Sequence, residues 1–251
     1  MAPSVPIIRA DLPVPNVRGF TTCRGLNEGP GFSDDRYARW NMGHHVGDSI
    51  SAVASNRRLL TEYLPEQAEI QWLDQVHGTS VVAAHQCVET ATADAVWTDK
   101  PNIACAVMTA DCLPILLAST DGQCVAAVHA GWRGLAAGVI EAAVQSMPNR
   151  ISGFVAWLGP AIGPQAFEVG QDVKSAFRAR YGHAIDVFFS LGNGDRHMAD
   201  LPGLAGFVLM GLGAQQVTGG ERCTYQEAES FFSYRRDGQT GRMATIIVIE
   251  P

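Results

Sequence analysis

Three side chains in this sequence have the types and spacing to meet at one metal ion: Cys112, His129 and His77. Two imidazoles and a thiolate form a three-ligand set, and catalytic zinc sites commonly use three protein ligands and leave the fourth position open for water or substrate. The same donors, with a weak axial methionine such as the nearby Met108, would suit copper. A buried cysteine and two ordinary histidines would show the same spacing, so the elements that carry them have to decide.

Cys112 and His129 bracket two apolar runs, 113–119 and 124–129, joined by Thr120-Asp121-Gly122-Gln123. Asp-Gly between apolar runs is a strong hairpin signal. With the turn centred on Asp121-Gly122, Thr120 faces Gln123, Pro114 faces His129 and Cys112 faces Gly131. Side chains alternate faces along a strand, so Cys112 shares a face with Pro114 and hence with His129. The two become diagonal neighbours, with Cβ atoms roughly 7 Å apart. A three-residue loop would reverse this parity. Pro114 suits a strand end or an edge. His77 lies in Gln75-Val-His-Gly-Thr79, read as the turn of a second hairpin between residues 70–73 and 80–83.

Further elements follow from pattern. Val17–Thr22 reads as a first strand after an extended segment, 1–16, and residues 25–35 form a glycine- and aspartate-rich loop. Asp48 or Ser49 caps a helix whose stripe holds Ile50, Val53, Leu60 and Leu64, and Pro65 stops it. Residues 95–98, 103–109, 154–158 and 244–249 read as strands. Residues 134–147, 173–181 and 202–212 read as helices, the last capped by Asp200. Strands and helices do not alternate cleanly, which predicts an α+β fold with mixed sheets in one domain over 1–251.

Of the 251 residues, 47% are apolar, ample for a core, and 17% are charged. A net charge of −7 argues against a nucleic-acid or anionic-membrane surface, so phosphate would need a local arginine cluster. No apolar run approaches membrane-spanning length, and the start lacks a signal-peptide pattern. Six cysteines without a CxxC pair predict free thiols in a reducing cytoplasm.

Asp94-Ala-Val, Thr109-Ala-Asp-Cys112, His129-Ala-Gly-Trp-Arg-Gly134, Leu158-Gly-Pro-Ala-Ile-Gly-Pro164 and Phe232-Ser-Tyr-Arg-Arg-Asp-Gly238 occur in this order. Together they resemble the YfiH-like family, long labelled multicopper polyphenol oxidoreductases or laccases. Its members are better described as zinc-dependent purine nucleoside phosphorylases with adenosine deaminase activity. The resemblance runs from about Gly19 to the end. It implies a layered α/β/β/α sandwich and zinc on His77, Cys112 and His129, with copper as the alternative. It also implies that adenosine, inosine and methylthioadenosine are cleaved by phosphate to ribose 1-phosphate and free base. A copper-dependent polyphenol oxidase and a non-catalytic zinc-binding protein are the rival readings. The sequence leaves the oligomeric state open.

Asn41-Met-Gly with His45 and Gly47-Asp48 resembles the family's Asn-Leu-Gly…His…Gly-Asp loop. This makes Asn41 a candidate substrate contact and His45 a candidate acid, base or base-edge contact, although a loop with helix-capping polar residues would look alike. Arg133, between a strand and a helix start, is a candidate phosphate ligand. Asp111 beside the ligand cysteine is a candidate to hold a proton or orient a ligand, or to bond the backbone at a strand end. Arg235 and Arg236 read best as a solvated pair. One departure stands out: the family's Thr-Thr-Arg is here Thr21-Thr22-Cys23-Arg24, with the arginine one residue late and so on the opposite strand face.

Overall fold

Leu113–Ser119 and Val125–Ala130 are buried at every position. Strands buried on both faces need cover on both sides of their sheet. The computed structural model, which describes residues 7–25, 31–87, 89–148 and 153–251, supplies it in four layers. Leu113, Ile115 and Leu117 share one face with Ala126 and Val128. They pack there against Leu135, Val139, Phe177 and Leu204 of the helices Trp132–Ala137, Val139–Ser146, Gln171–Tyr181 and Leu201–Gly211. The other face presents Leu116, Ala118, Val125 and Ala127 to Cys105, Val107, Ile247 and Ile249 of a second sheet. That sheet's outer face, with Ala104, Ala106, Ile246 and Val248, is covered by Trp40, Met42 and Leu60, the last from the helix Ile50–Leu60. The order is therefore α/β/β/α, as expected. Full burial of one such Leu, Ile or Val contributes roughly 1.5–3 kcal/mol, so the inter-sheet core is the main support for whatever sits at its end.

Both large sheets are mixed. In one the order is Gln216–Gly219, Phe154–Leu158, Leu113–Ser119, Val125–Ala130, Ala95–Thr98, Val81–Ala83, parallel at its two outer pairs and antiparallel within. In the other it is Ile7–Arg9, Val17–Thr22, Met243–Ile249, Ile103–Thr109, Glu69–Gln71, parallel at the last pair alone. The C-terminal ends of Ile103–Thr109 and Val125–Ala130 lie together with the N-terminal ends of Leu113–Ser119 and Met243–Ile249.

The central hairpin has the expected register, His129 opposite Pro114, but a different turn. Ser119 N donates to Cys124 O at 2.8 Å, so four residues, not two, form the loop. Ser119 Oγ accepts from both Gln123 N and Cys124 N, and Gly122 takes φ +69°. An even loop preserves the face parity, and Cys112 and His129 end on the inter-sheet side.

Three expectations need correction. His77 is not in a hairpin: Glu69–Gln71 and Val81–Ala83 belong to different sheets, and the segment between them crosses the sandwich. The helix expected over 134–147 is two helices broken at Gly138, whose φ of +100° strains any other residue. Ile50 is exposed: it is the first residue of the helix capped by Ser49 and lies off the face that buries Ala52, Val53 and Leu60. Residues 1–6 of the expected extended segment, and 26–30 of the glycine-rich loop, lie outside the described residues.

Candidate metal centre and substrate cavity

Where the two sheets end together, the ligand atoms of His77, Cys112 and His129 lie within 4.8 Å of one another. Cys112 Sγ is 3.8 Å from His77 Nε2, and the two imidazole centroids are 4.8 Å apart, nearly edge to face. His129 is the penultimate residue of the strand Val125–Ala130, held opposite Pro114. Cys112 precedes the paired strand, after Asp111, whose backbone takes φ +87°. His77 reaches the group from a loop with φ +60°. Two hydrogen bonds of one carboxamide hold that loop: Gln75 Nε2 donates to Met108 O at 2.8 Å, and Gln75 Oε1 accepts from Met108 N at 2.7 Å.

Asp94, fully buried, ties the group together. Its Oδ1 lies 2.8 Å from His129 Nδ1 and accepts from His77 N, while Oδ2 accepts from Gly78 N at 2.6 Å. Burial raises its pKa, but these donors outweigh burial and hold the carboxyl below its ordinary range. A carboxylate on Nδ1 leaves His129 Nε2 as the lone-pair donor, the usual orienting contact of a metal-bound histidine. Burial also pushes the Cys112 thiol up, but the His129 and His77 imidazoles bring it well below its ordinary value. His129 is lowered by burial and raised further by Cys112 and Asp94, with a net upward shift. The donor set therefore fits a divalent metal. So does the space around it: a methyl group at Gly131 would lie 3.0 Å from His77 Cδ2 and 3.1 Å from Cys112 Sγ. The group is the one such cluster among the described residues. Met108 does not read as an axial ligand, since its Sδ accepts from Arg57 Nη2 at 3.4 Å.

A cavity of about 400 Å³ opens beside the group. His45, Asp111 and Arg133 line it as well as the three ligands. Asn41 does not line it. The Asn41 carboxamide is instead saturated, with Nδ2 donating to Gly43 O and Asp48 Oδ2 and Oδ1 accepting from Gly43 N and Arg242 N. Asp111 has both oxygens engaged, Oδ1 by Thr224 Oγ1 and Oδ2 by Arg235 N, each at 2.6 Å. His45 is lowered by partial burial first and by Arg242 next, so it is neutral at pH 7. Arg133 is exposed and lies over the Trp132 ring, 4.5 Å from its centroid.

Sequence reasoning assigned no chemistry to Asp94, Gln75 or Arg242. It also read Arg235 and Arg236 as solvated. Arg235 lines the cavity, and Arg236 donates to Thr224 O, Tyr225 O and Phe231 O, bracing that loop. Arg24 does not reach the cavity; it donates to Ala38 O and pairs with Asp237.

The chain is similar to proteins of known name along nearly its full length. It is 45% identical to "Purine nucleoside phosphorylase YfiH" of Shigella flexneri, over 93% of this chain and 95% of that protein. It is also 45% identical to a purine nucleoside phosphorylase of Pseudomonas aeruginosa, over 96% and 97%. A crystal structure from Neisseria meningitidis superposes with a TM-score of 0.92 at 42% identity, covering 98% of this chain and 99% of that one. YlmD from Geobacillus stearothermophilus gives 0.86 at 29%, covering 95% and 94%. With this agreement in sequence and in fold along nearly the whole chain, the chain belongs to the multi-copper polyphenol oxidoreductase laccase family, whose model matches residues 19–250.

Proposed function

We propose that this chain is a zinc-dependent purine nucleoside phosphorylase. It cleaves adenosine, inosine and methylthioadenosine with phosphate and deaminates adenosine as a side activity. The observation that carries this reading is one cavity shared by the His77–Cys112–His129 group, three arginines and three aromatic rings: Arg133, Arg235 and Arg242 with Trp132, Phe167 and Tyr234. Phosphorolysis needs these parts together: cationic donors for phosphate, an apolar bed for the purine, and help for the leaving base. The names of the relatives support it.

His77, Cys112 and His129 would hold the zinc, which when bound supplies Lewis acidity toward a substrate oxygen or nitrogen. Arg133 faces the phosphate from the exposed side and is positioned to donate a guanidinium fork. His45, neutral at pH 7, exchanges a proton or hydrogen bond with the purine. Asp111 serves as a positioning residue: through Thr224 and Arg235 it fastens the segment that carries Tyr234 to the Cys112 loop.

The copper oxidase reading has the family description and the His₂Cys donors behind it. A multicopper centre needs further histidine clusters, and the described residues hold a single cluster. Elemental analysis of the purified protein, followed by assay with adenosine and inosine with and without phosphate, separates the readings. The expected result is about one zinc per chain and phosphate-dependent release of base and ribose 1-phosphate. A strong visible copper–thiolate band with phenol oxidation and no nucleoside cleavage would refute it.

A further inference from the structure

Arg242 combines three features that no other cavity arginine has together. It is half-buried at the start of the Met243–Ile249 strand, next to the Cys112 loop. Its Nη1 donates to Thr240 O and Gly241 O, both at 2.9 Å, which fixes one edge of the guanidinium. Among the described residues no carboxylate pairs with it, and its Nε and Nη2 have no hydrogen-bond partner. Arg133, by contrast, is exposed over Trp132, and Arg235 places Nη1 on Glu168 O and its guanidinium over Phe167. Burial disfavours its charge, and Cys112 and Asp111 offset this through space without a direct hydrogen bond to the guanidinium, so its free edge stays open to an oxyanion.

A dedicated cradle aims this side chain. Asn41 Oδ1 accepts from Arg242 N at 2.8 Å and from Gly43 N at 2.8 Å, so one buried carboxamide locks the Arg242 backbone to the 41–43 turn. Met42 N closes the same contact by donating to Arg242 O. A methyl group at Gly43 would lie 2.8 Å from Arg242 Cγ, so only glycine leaves room for the stem to pass. The Asn-Met-Gly turn thus acts on the cavity through Arg242 and does not line it.

We propose that Arg242 is the fixed oxyanion-binding group of the cavity, taking inorganic phosphate with its free Nε–Nη2 edge, and that Asn41 and Gly43 are the residues that position it. The assignment deepens the phosphorylase reading and rests on it for the identity of the anion. The edge presents two N–H donors side by side, the geometry that matches two oxygens of a phosphate. An oxyanion bound there would lie beside the metal ligands and the exposed Arg133.

The test uses the metal-loaded protein and four forms: wild type, Arg242→Met, Arg242→Lys and Gly43→Ala. Phosphate-dependent base release from inosine gives KM for phosphate and for inosine, and calorimetry with inorganic phosphate gives binding without turnover. Arg242→Met should raise the phosphate KM and Kd at least about tenfold, the effect of losing one charge-assisted pair, with a smaller change in the inosine KM. Arg242→Lys should recover part of this, since it keeps the charge but not the fork. Gly43→Ala retains every charge and should still raise the phosphate KM by displacing the stem; it decides the question if Arg242→Met does not fold. Unchanged phosphate KM and Kd in Arg242→Met, or unchanged values in Gly43→Ala, overturn the assignment. Wild-type protein that releases no base with phosphate, yet binds phosphate only when Arg242 is present, would refute the phosphorylase reading and leave the anion site standing.

Discussion

At Asp94 one carboxylate meets three donors, from His129 Nδ1, His77 N and Gly78 N. Asp94→Asn would replace one acceptor oxygen with an NH₂ group facing donors, and the His129 tautomer would no longer be fixed. Its metal affinity should fall about 10–100-fold, as measured by chelator competition, with far-UV circular dichroism unchanged. Cys112→Ala should lose the metal and the activity while remaining folded. Cys124→Ala on the same hairpin faces the helices and should keep both, at a cost of about 1 kcal/mol in urea unfolding. Full metal content in Cys112→Ala would dismiss the ligand set. Residue types made Cys112 and His129 legible, because alternation along a hairpin is a local rule. Asp94 was not legible. Its contact with His129 depends on the pairing of Ala95 with Val128, and no short-range pattern announces that pairing. Arg242 was hidden in the same way, by a sequence separation of 201 from the Asn41 side chain that holds it.

Single elements show the same division between local and distant causes. The hairpin register survived a wrong turn type because two and four are both even; Ser119 Oγ capping Gln123 N and Cys124 N stabilises the longer loop. The Gly138 break escaped notice because a lone glycine in a helical pattern is usually tolerated. His77 was misplaced in a hairpin because apolar runs on either side of a Gly look alike whether they pair or part. At Gly131, just before the helix Trp132–Ala137, the backbone φ of −61° suits any residue, so glycine is not there for conformational freedom. It is there for space. Gly131→Ala should push on His77 Cδ2 and Cys112 Sγ and weaken metal binding. The metal-free unfolding midpoint should move by less than about 4 °C, roughly what 1 kcal/mol shifts in a chain of this size. A variant that binds metal as wild type does would mean the three ligands have more room than the static distances allow.

For the whole molecule, metal, protons and stability are linked at this one group. The folded metal-free protein favours a Cys112 thiolate beside a protonated His129, given the opposite shifts of the two. His129, raised above 6.5, contributes stability that is present below that value and lost as pH rises through its folded pKa. Cys112, lowered from 9.0, contributes stability that is present above that value and lost as pH falls through its folded pKa. Between 6.5 and 9.0 the two slopes oppose each other, so this pair leaves metal-free stability nearly level across neutral pH. The metal-bound form behaves differently. A ligand imidazole must be neutral, so binding releases the His129 proton, and apparent affinity falls about tenfold for each pH unit below the raised His129 value. Tenfold is about 1.4 kcal/mol of linked stabilisation at a fixed excess of free metal. The zinc-induced rise in unfolding midpoint should therefore shrink by a few degrees on going from about pH 8 to pH 7, while the metal-free midpoint barely moves. Thermal scans in zinc-buffered solutions at both pH values measure it. A zinc-induced rise that stays constant with pH would place the metal on groups that release no proton, and His129 would not be among its ligands.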